Sequence, residues 1–203
     1  MPIEACANPL TIKAFSPYGS IISPGEEVAK LDQSAKNANQ GTAIKLLQVS
    51  KVQNPAPVSC PPNWNLFRCF PKPHLQARFK ATQSSRKVQH SINVLEMHPH
   101  SSQTFLPMGR PEDEISYLVV VALEYKTTAK PDLSTLKAFL CRGNQAVTYG
   151  AGIWHAPMIV LGQQEYVDFG VLIYEFLDEH APEKDCVETH YADSEITIEL
   201  FID

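Results

Sequence analysis

Sixteen prolines break this 203-residue chain into short pieces, and that interruption limits what it can fold into. A proline ring removes a backbone donor and disfavours the helical region for the residue before it, so long helices have little room. Between the prolines lie short apolar or alternating runs: AIKLLQV (43–49), NLFRCF (65–70), SINVLEMH (91–98), EISYLVVVAL (114–123), TLKAFL (135–140), QAVTYG (145–150), GIWHAPMIVL (152–161) and YVDFGVLIYEF (166–176). Their lengths and their Val, Ile, Tyr and Phe content are those of β-strands. RGNQ (142–145) and LGQQEY (161–166) read as hairpin turns. Outside the strands only SAKNANQ (34–40) and DEHAPEKD (178–185) read as helical or loop-like. So many short strands predict an all-β barrel or sandwich. KVQNPAPVSCPPNWN (51–65) lies between strand-like runs and reads as a surface loop within one domain spanning 1–203.

With 44% hydrophobic and 19% charged residues, the chain can bury a sizeable core. A formal charge of −5 without a basic run argues against a nucleic-acid or membrane-surface partner. No stretch approaches the ~18 apolar residues of a membrane span, and MPIEACANPLTIKAF has no leader-like apolar core. Cys6, Cys60, Cys69, Cys141 and Cys186 are odd in number, scattered and without a C-x-x-C pair, so they read as reduced thiols. A cytoplasmic protein is expected.

The imidazoles carry the chemical signal. In EMHPHSSQTFLPM (96–108), residues two apart on a strand share a face, so Glu96 and His98 point together. His100 joins them if the strand continues through Pro99. Proline cannot donate to the ladder, which places this strand end at an edge or rim. In YGAGIWHAP (149–157), Gly150 and Gly152 permit a close approach, and His155 alternates with a Trp154 that faces the other way. Imidazoles brought together from distant strands suit a divalent metal or acid/base chemistry. Arg68 in LFRCF and Lys137 in TLKAF sit between apolar neighbours and read first as edge residues with their charge in water. No dinucleotide, P-loop, serine-hydrolase or zincin motif is present.

These blocks resemble the ureidoglycolate lyase family, formerly called ureidoglycolate hydrolases, of allantoin and purine breakdown. The resemblance rests on AFSPYGSII, NQGTA, LFRCFP, LEMHPHSSQTFLPM, YLVVVAL, KPDLSTLKAFL and GNQAVTYGAGIWHAPM followed by VDFGVLIYEF, from about residue 14 to 188. It implies a cupin-like double-stranded β-barrel, a homodimer, a divalent metal (nickel, zinc or manganese), and cleavage of (S)-ureidoglycolate to glyoxylate and urea. Carried over by motif, the family's two histidines fall on His98 and His155 and its glutamine on Gln103. His100 stands where many bacterial members have leucine, restoring an H-x-H pair. The bacterial Asp-Arg after the DF of the last strand block is absent, leaving a polar role there open between Tyr174 and Glu175. The insert at 51–64 looks like a fungal elaboration.

The expected metal ligands are therefore His98, His100, Gln103 and His155. Glu96, or a histidine free of metal, is the expected base. Arg68, Lys137 and Gln103 are expected to meet the substrate, since a small anion in a barrel needs a cationic partner. Two other readings stand beside the lyase: a ureidoglycolate amidohydrolase releasing ammonia, and a non-catalytic cupin module that binds a small carboxylate.

Overall fold

The computed structural model describes residues 2–29, 31, 36–57, 60–80 and 87–201. Its strands in chain order are β1 (Ile3–Pro9), β2 (Gly19–Ile22), β3 (Lys36–Ala38), β4 (Ala43–Lys45), β5 (Pro62–Cys69), β6 (Lys87–Ser91), β7 (Val94–Met97) and β8 (Gln103–Met108). There follow β9 (Ile115–Tyr125), β10 (Lys130–Arg142), β11 (Ala146–Tyr149), β12 (Trp154–His155), β13 (Ile159–Val160), β14 (Val167–Tyr174), β15 (Val187–His190) and β16 (Ile196–Phe201). The helices are short: α1 (Ile12–Phe15), α2 (Pro24–Ala29) and α3 (Pro73–Lys80). This is an all-β, cupin-like fold: the short proline-bounded runs predicted the strands, and the family resemblance implied the cupin-like form.

Among the described residues a nine-stranded sheet runs β15-β7-β12-β9-β10-β1-β16-β6, with β13 also on β9, and a five-stranded sheet runs β2-β11-β8-β14-β5. Most neighbours are antiparallel; β1 is the exception, lying parallel to both β10 and β16. β9 shows why the sheets hold together. Its sequence ISYLVVVALEY has no polar face over most of its length, so both sides must be covered. Tyr117, Val119 and Val121 point into a core shared with Phe105, Val147, Phe169 and Val171 of the second sheet. Leu118, Val120 and Ala122 point into a second core with Leu95, Trp154, Ile196 and Ile198, capped by Leu75 and Phe79 of α3.

β14 is the simpler case. It alternates buried Val167, Phe169, Val171 and Ile173 with less buried neighbours, the period-2 pattern of a strand with one face on the core. Some boundaries differ from the sequence reading. GIWHAPMIVL divides into β12 and β13 around Pro157, and SINVLEMH is strand over Val94–Met97 after Ser91, the last residue of β6. AIKLLQV is strand only over Ala43–Lys45. PPNWN, read as loop, instead begins β5. Helix α3, unread in the sequence, places Leu75 and Phe79 four apart on one face behind a proline at its start. In 34–40, residues 34 and 35 lie outside the described residues, as do 58 and 59 of the insert; Lys36–Ala38 forms β3 and Asn39–Gly41 a 3-10 turn.

Candidate active site

The site grows from one cross-strand row. Glu188 of β15 is opposite Glu96 of β7, Glu96 is opposite His155 of β12, and His155 is opposite Val121 of β9. Val121 in turn is opposite Lys137 of β10. Directly opposed residues project to the same face; His155 and Val121 are buried in the middle of this row, and Glu188 and Lys137 are exposed at its ends. Trp154 belongs to the other core, as its alternation with His155 requires.

His155 is almost fully buried, its ring stacked on Tyr149 with centroids 4.0 Å apart and planes 12° apart. Its Nδ1 lies 2.9 Å from the Ile153 carbonyl and therefore carries the proton. That leaves Nε2 as the lone-pair end, yet it faces Gln103 Oε1 at 3.1 Å and Glu96 Oε1 at 3.5 Å. Three acceptors converge, an arrangement that a proton on Nε2, a cation between them or a Gln103 amide turned to donate would reconcile.

His98 repeats the pattern. Its Nδ1 donates to the Asp185 carbonyl at 2.6 Å, and its Nε2 is buried without a hydrogen-bond partner. One ligand atom each from Glu96, His98 and His155 lies within 4.8 Å of the others. Two imidazole lone pairs, a carboxylate and the neighbouring amide oxygen are a donor set that fits a divalent cation. Burial, and the charge on nearby His155, lower the His98 pKa, so its lone pair is available at neutral pH. Burial pushes the Glu96 carboxyl up, but its interactions with His155 and then His98 outweigh that and hold it below the usual carboxylate value, so Glu96 is ionised at neutral pH.

The remaining predicted residues are placed differently. β7 ends at Met97 because Pro99 has no N–H with which to extend the ladder, so the strand face does not carry on to His100. His100 instead packs edge-on against Phe176, ring centroids 6.0 Å apart, outside the Glu96, His98 and His155 group. Arg68 makes a bidentate pair with Asp168 at 2.8 and 2.9 Å beneath the Tyr166 ring, with its side chain half exposed. Lys137 is exposed but stays in the site's row. Glu175 accepts from the Asn65 amide at 2.9 Å, and the Tyr174 backbone donates to Ser101 Oγ at 2.9 Å.

Several residues were missed by the sequence reading. Tyr149 packs on His155, and the Asp185 carbonyl accepts from His98 Nδ1. Cys186 and Glu188 form a second close group with Glu96, within 4.8 Å of one another. Burial and these two carboxylates push the Cys186 thiol up to about 11, so it is a thiol rather than a thiolate at neutral pH. Gln53 of the insert exchanges hydrogen bonds with Ser102 at 2.7 and 2.9 Å, and its side chain accepts from Ala151 N at 3.4 Å. The insert thus ties together the two loops that present Gln103 and His155. Gly152, at φ +78, turns the chain so that its N–H meets the His98 carbonyl at 2.9 Å.

The family model described as ureidoglycolate lyase matches residues 3–199, nearly the whole chain. The chain belongs to the ureidoglycolate lyase family. A relative in Saccharomyces cerevisiae, named ureidoglycolate lyase, is 60% identical over 197 residues, covering 97% of this chain and 98% of its own. Those with the same name in Schizosaccharomyces pombe and Burkholderia mallei are 37% and 34% identical, covering 78% and 77% of this chain and 78% and 75% of their own. The near-complete match to the Saccharomyces cerevisiae protein agrees with a fungal member of this lyase family.

Proposed function

We propose that this chain cleaves (S)-ureidoglycolate into glyoxylate and urea at the Glu96, His98, Gln103 and His155 cluster. The observation that carries the reading is the pair of imidazoles whose Nδ1 atoms are held by backbone carbonyls, leaving Nε2 of each turned away from them. His98 and His155, with Gln103 beside them, would hold a divalent metal; nickel, zinc and manganese all accept this ligand chemistry. When bound, such an ion supplies Lewis acidity that eases loss of the substrate's hydroxyl proton and offsets its carboxylate charge.

The protein groups then have defined work. Glu96, ionised beside His155, takes the proton from the substrate hydroxyl. The electron pair of that O–H bond becomes the new C=O of glyoxylate as the carbon–nitrogen bond breaks. The departing nitrogen keeps the bonding pair and receives the proton from Glu96, giving neutral urea. Lys137, in the same row, is the cation positioned for the substrate carboxylate, whereas Arg68 is engaged by Asp168. Tyr149 and the packed barrel wall behind His155 keep water from that side of the ring.

A homodimer is part of this reading. Trp64 and Leu66 of β5 and Leu106 and Met108 of β8 are 41–67% exposed and share the outer face of the five-stranded sheet. An apolar sheet face of this kind, at an edge strand, favours burial against a second copy. No helix among the described residues is long and apolar enough to cross a membrane, and the five cysteines are free, which supports a cytoplasmic location.

The deciding experiment supplies racemic ureidoglycolate with and without divalent metals and quantifies glyoxylate, urea and ammonia together. Equimolar glyoxylate and urea, lost on adding a chelator, is the expected result. Ammonia without urea would replace the lyase with the amidohydrolase reading, and binding without turnover would leave a carboxylate-binding module.

A further inference from the structure

We infer that Asp185 is a positioning residue for His98, acting through its own backbone carbonyl, whose place is set by its side chain. The inference rests on the ligand role proposed above for His98. An imidazole presents Nε2 to a cation only while Nδ1 holds the proton, and that proton needs a fixed acceptor. For His155 the acceptor is Ile153 O, two residues away on the same segment, so local geometry supplies it. For His98 the acceptor is Asp185 O, 87 residues further along the chain. Tertiary structure must therefore hold it in place.

Three sets of bonds do so. The Asp185 carboxylate accepts from Phe176 N and Leu177 N, each at 2.7 Å, clamping the chain just beyond β14 where Leu177 takes the left-handed φ of +54°. Asp185 N and Cys186 N both donate to Pro182 O at 3.0 Å, closing the turn on the other side. Cys186 then leads into β15, whose Val187 pairs with Met97, the residue before His98. Asp185 thus links the end of β14, the turn at Pro182–Lys184 and, through β15, the strand that ends just before His98. A clamp acting through the backbone leaves no motif near His98, so the sequence does not announce it.

The test compares Asp185→Ala with Asp185→Asn, which keeps one acceptor oxygen, and with Asp178→Ala. The last breaks the Asp178–Lys184 pair (2.9 Å) in the same loop without touching the clamp. Long-range proton–nitrogen NMR spectra of the metal-free protein read the His98 tautomer directly. Competition with a chelator for zinc, nickel or manganese reads affinity. Asp185→Ala is expected to convert His98 from a pure Nδ1–H form to a tautomer mixture and to weaken metal binding by about 10–100-fold. Asp185→Asn should fall between, and Asp178→Ala should match the wild type in both. If Asp185→Ala does not fold, Asp185→Asn alone decides through the same two readouts. An unchanged tautomer and affinity in the folded variant would overturn the inference. A tautomer that loosens in a protein whose wild type binds none of the metals would uphold the positioning role while removing the metal reading.

Discussion

Glu96 and His155 face one another in the β7–β12 ladder, and their chemistry differs enough for substitutions to separate them. Glu96→Gln keeps the shape and removes the base, so kcat should fall by about 10²–10⁴ with little change in KM. Steady-state kinetics on ureidoglycolate checks this, and a variant with unchanged kcat would take Glu96 out of the chemistry. His98→Ala removes a buried imidazole that has no hydrogen-bond partner at Nε2, so its first effect should be on metal affinity, with activity recovering in excess metal. His100→Ala, at a ring that leans on Phe176, should bind metal as tightly as the wild type. Glu96, His98 and His155 stand out in the sequence by residue type and strand spacing and Gln103 only through the family motif, and the structure brings the four side by side. His100 depends on the strand face continuing through Pro99, and the strand ends at Met97.

At the scale of elements, the close approach of β2 to β11 depends on one glycine. Gly19 has φ +150°, and a Cβ there would lie 2.0 Å from the Thr148 carbonyl oxygen and 2.9 Å from Gly150 N. Both are backbone atoms that cannot step aside without opening the Ala146–Tyr149 pairing. Gly19→Ala should therefore cost about 1–3 kcal/mol, read as a lower midpoint in urea unfolding; an unchanged midpoint would show that the ladder yields freely. β9 and β14 could be read from the sequence, since a continuous apolar run and a strict alternation each say which faces are covered. α3 could not, because eight residues with two apolar side chains give too little periodicity to stand out.

For the whole molecule, the clearest consequence of burial is a dependence of stability on pH. His90 is almost fully buried and stacks on His74, their ring nitrogens 3.1 Å apart. Residues 33–95 contain no Asp or Glu, so this region has no carboxylate of its own to balance them. Burial first, then the charges of Lys72 and His74, lower the His90 pKa to about 4. The unfolded chain takes up this proton near pH 6.5 and the folded chain only near pH 4, so stability is fully present above 6.5 and lost as pH falls between the two. The loss should approach about 3 kcal/mol, measured by urea unfolding across that window, and His90→Gln should flatten the slope. The exposed face of Trp64, Leu66, Leu106 and Met108 makes a second prediction at this scale. The wild type should sediment as a dimer and Leu66→Lys should shift it toward monomer, whereas a monomeric wild type would remove that part of the proposal.

What the sequence by itself determined is the strand-rich architecture, the membership of a lyase family and the residue types able to bind a metal, because these follow from local spacing and from motifs contiguous in the chain. The tertiary structure alone decided which of those groups meet. It set Glu188 beside Glu96, turned Arg68 outward to Asp168 and placed the Asp185 carbonyl against His98. Such pairings join residues up to about a hundred positions apart. They depend on strand register and on the route of the chain between sheets, and a linear pattern carries neither.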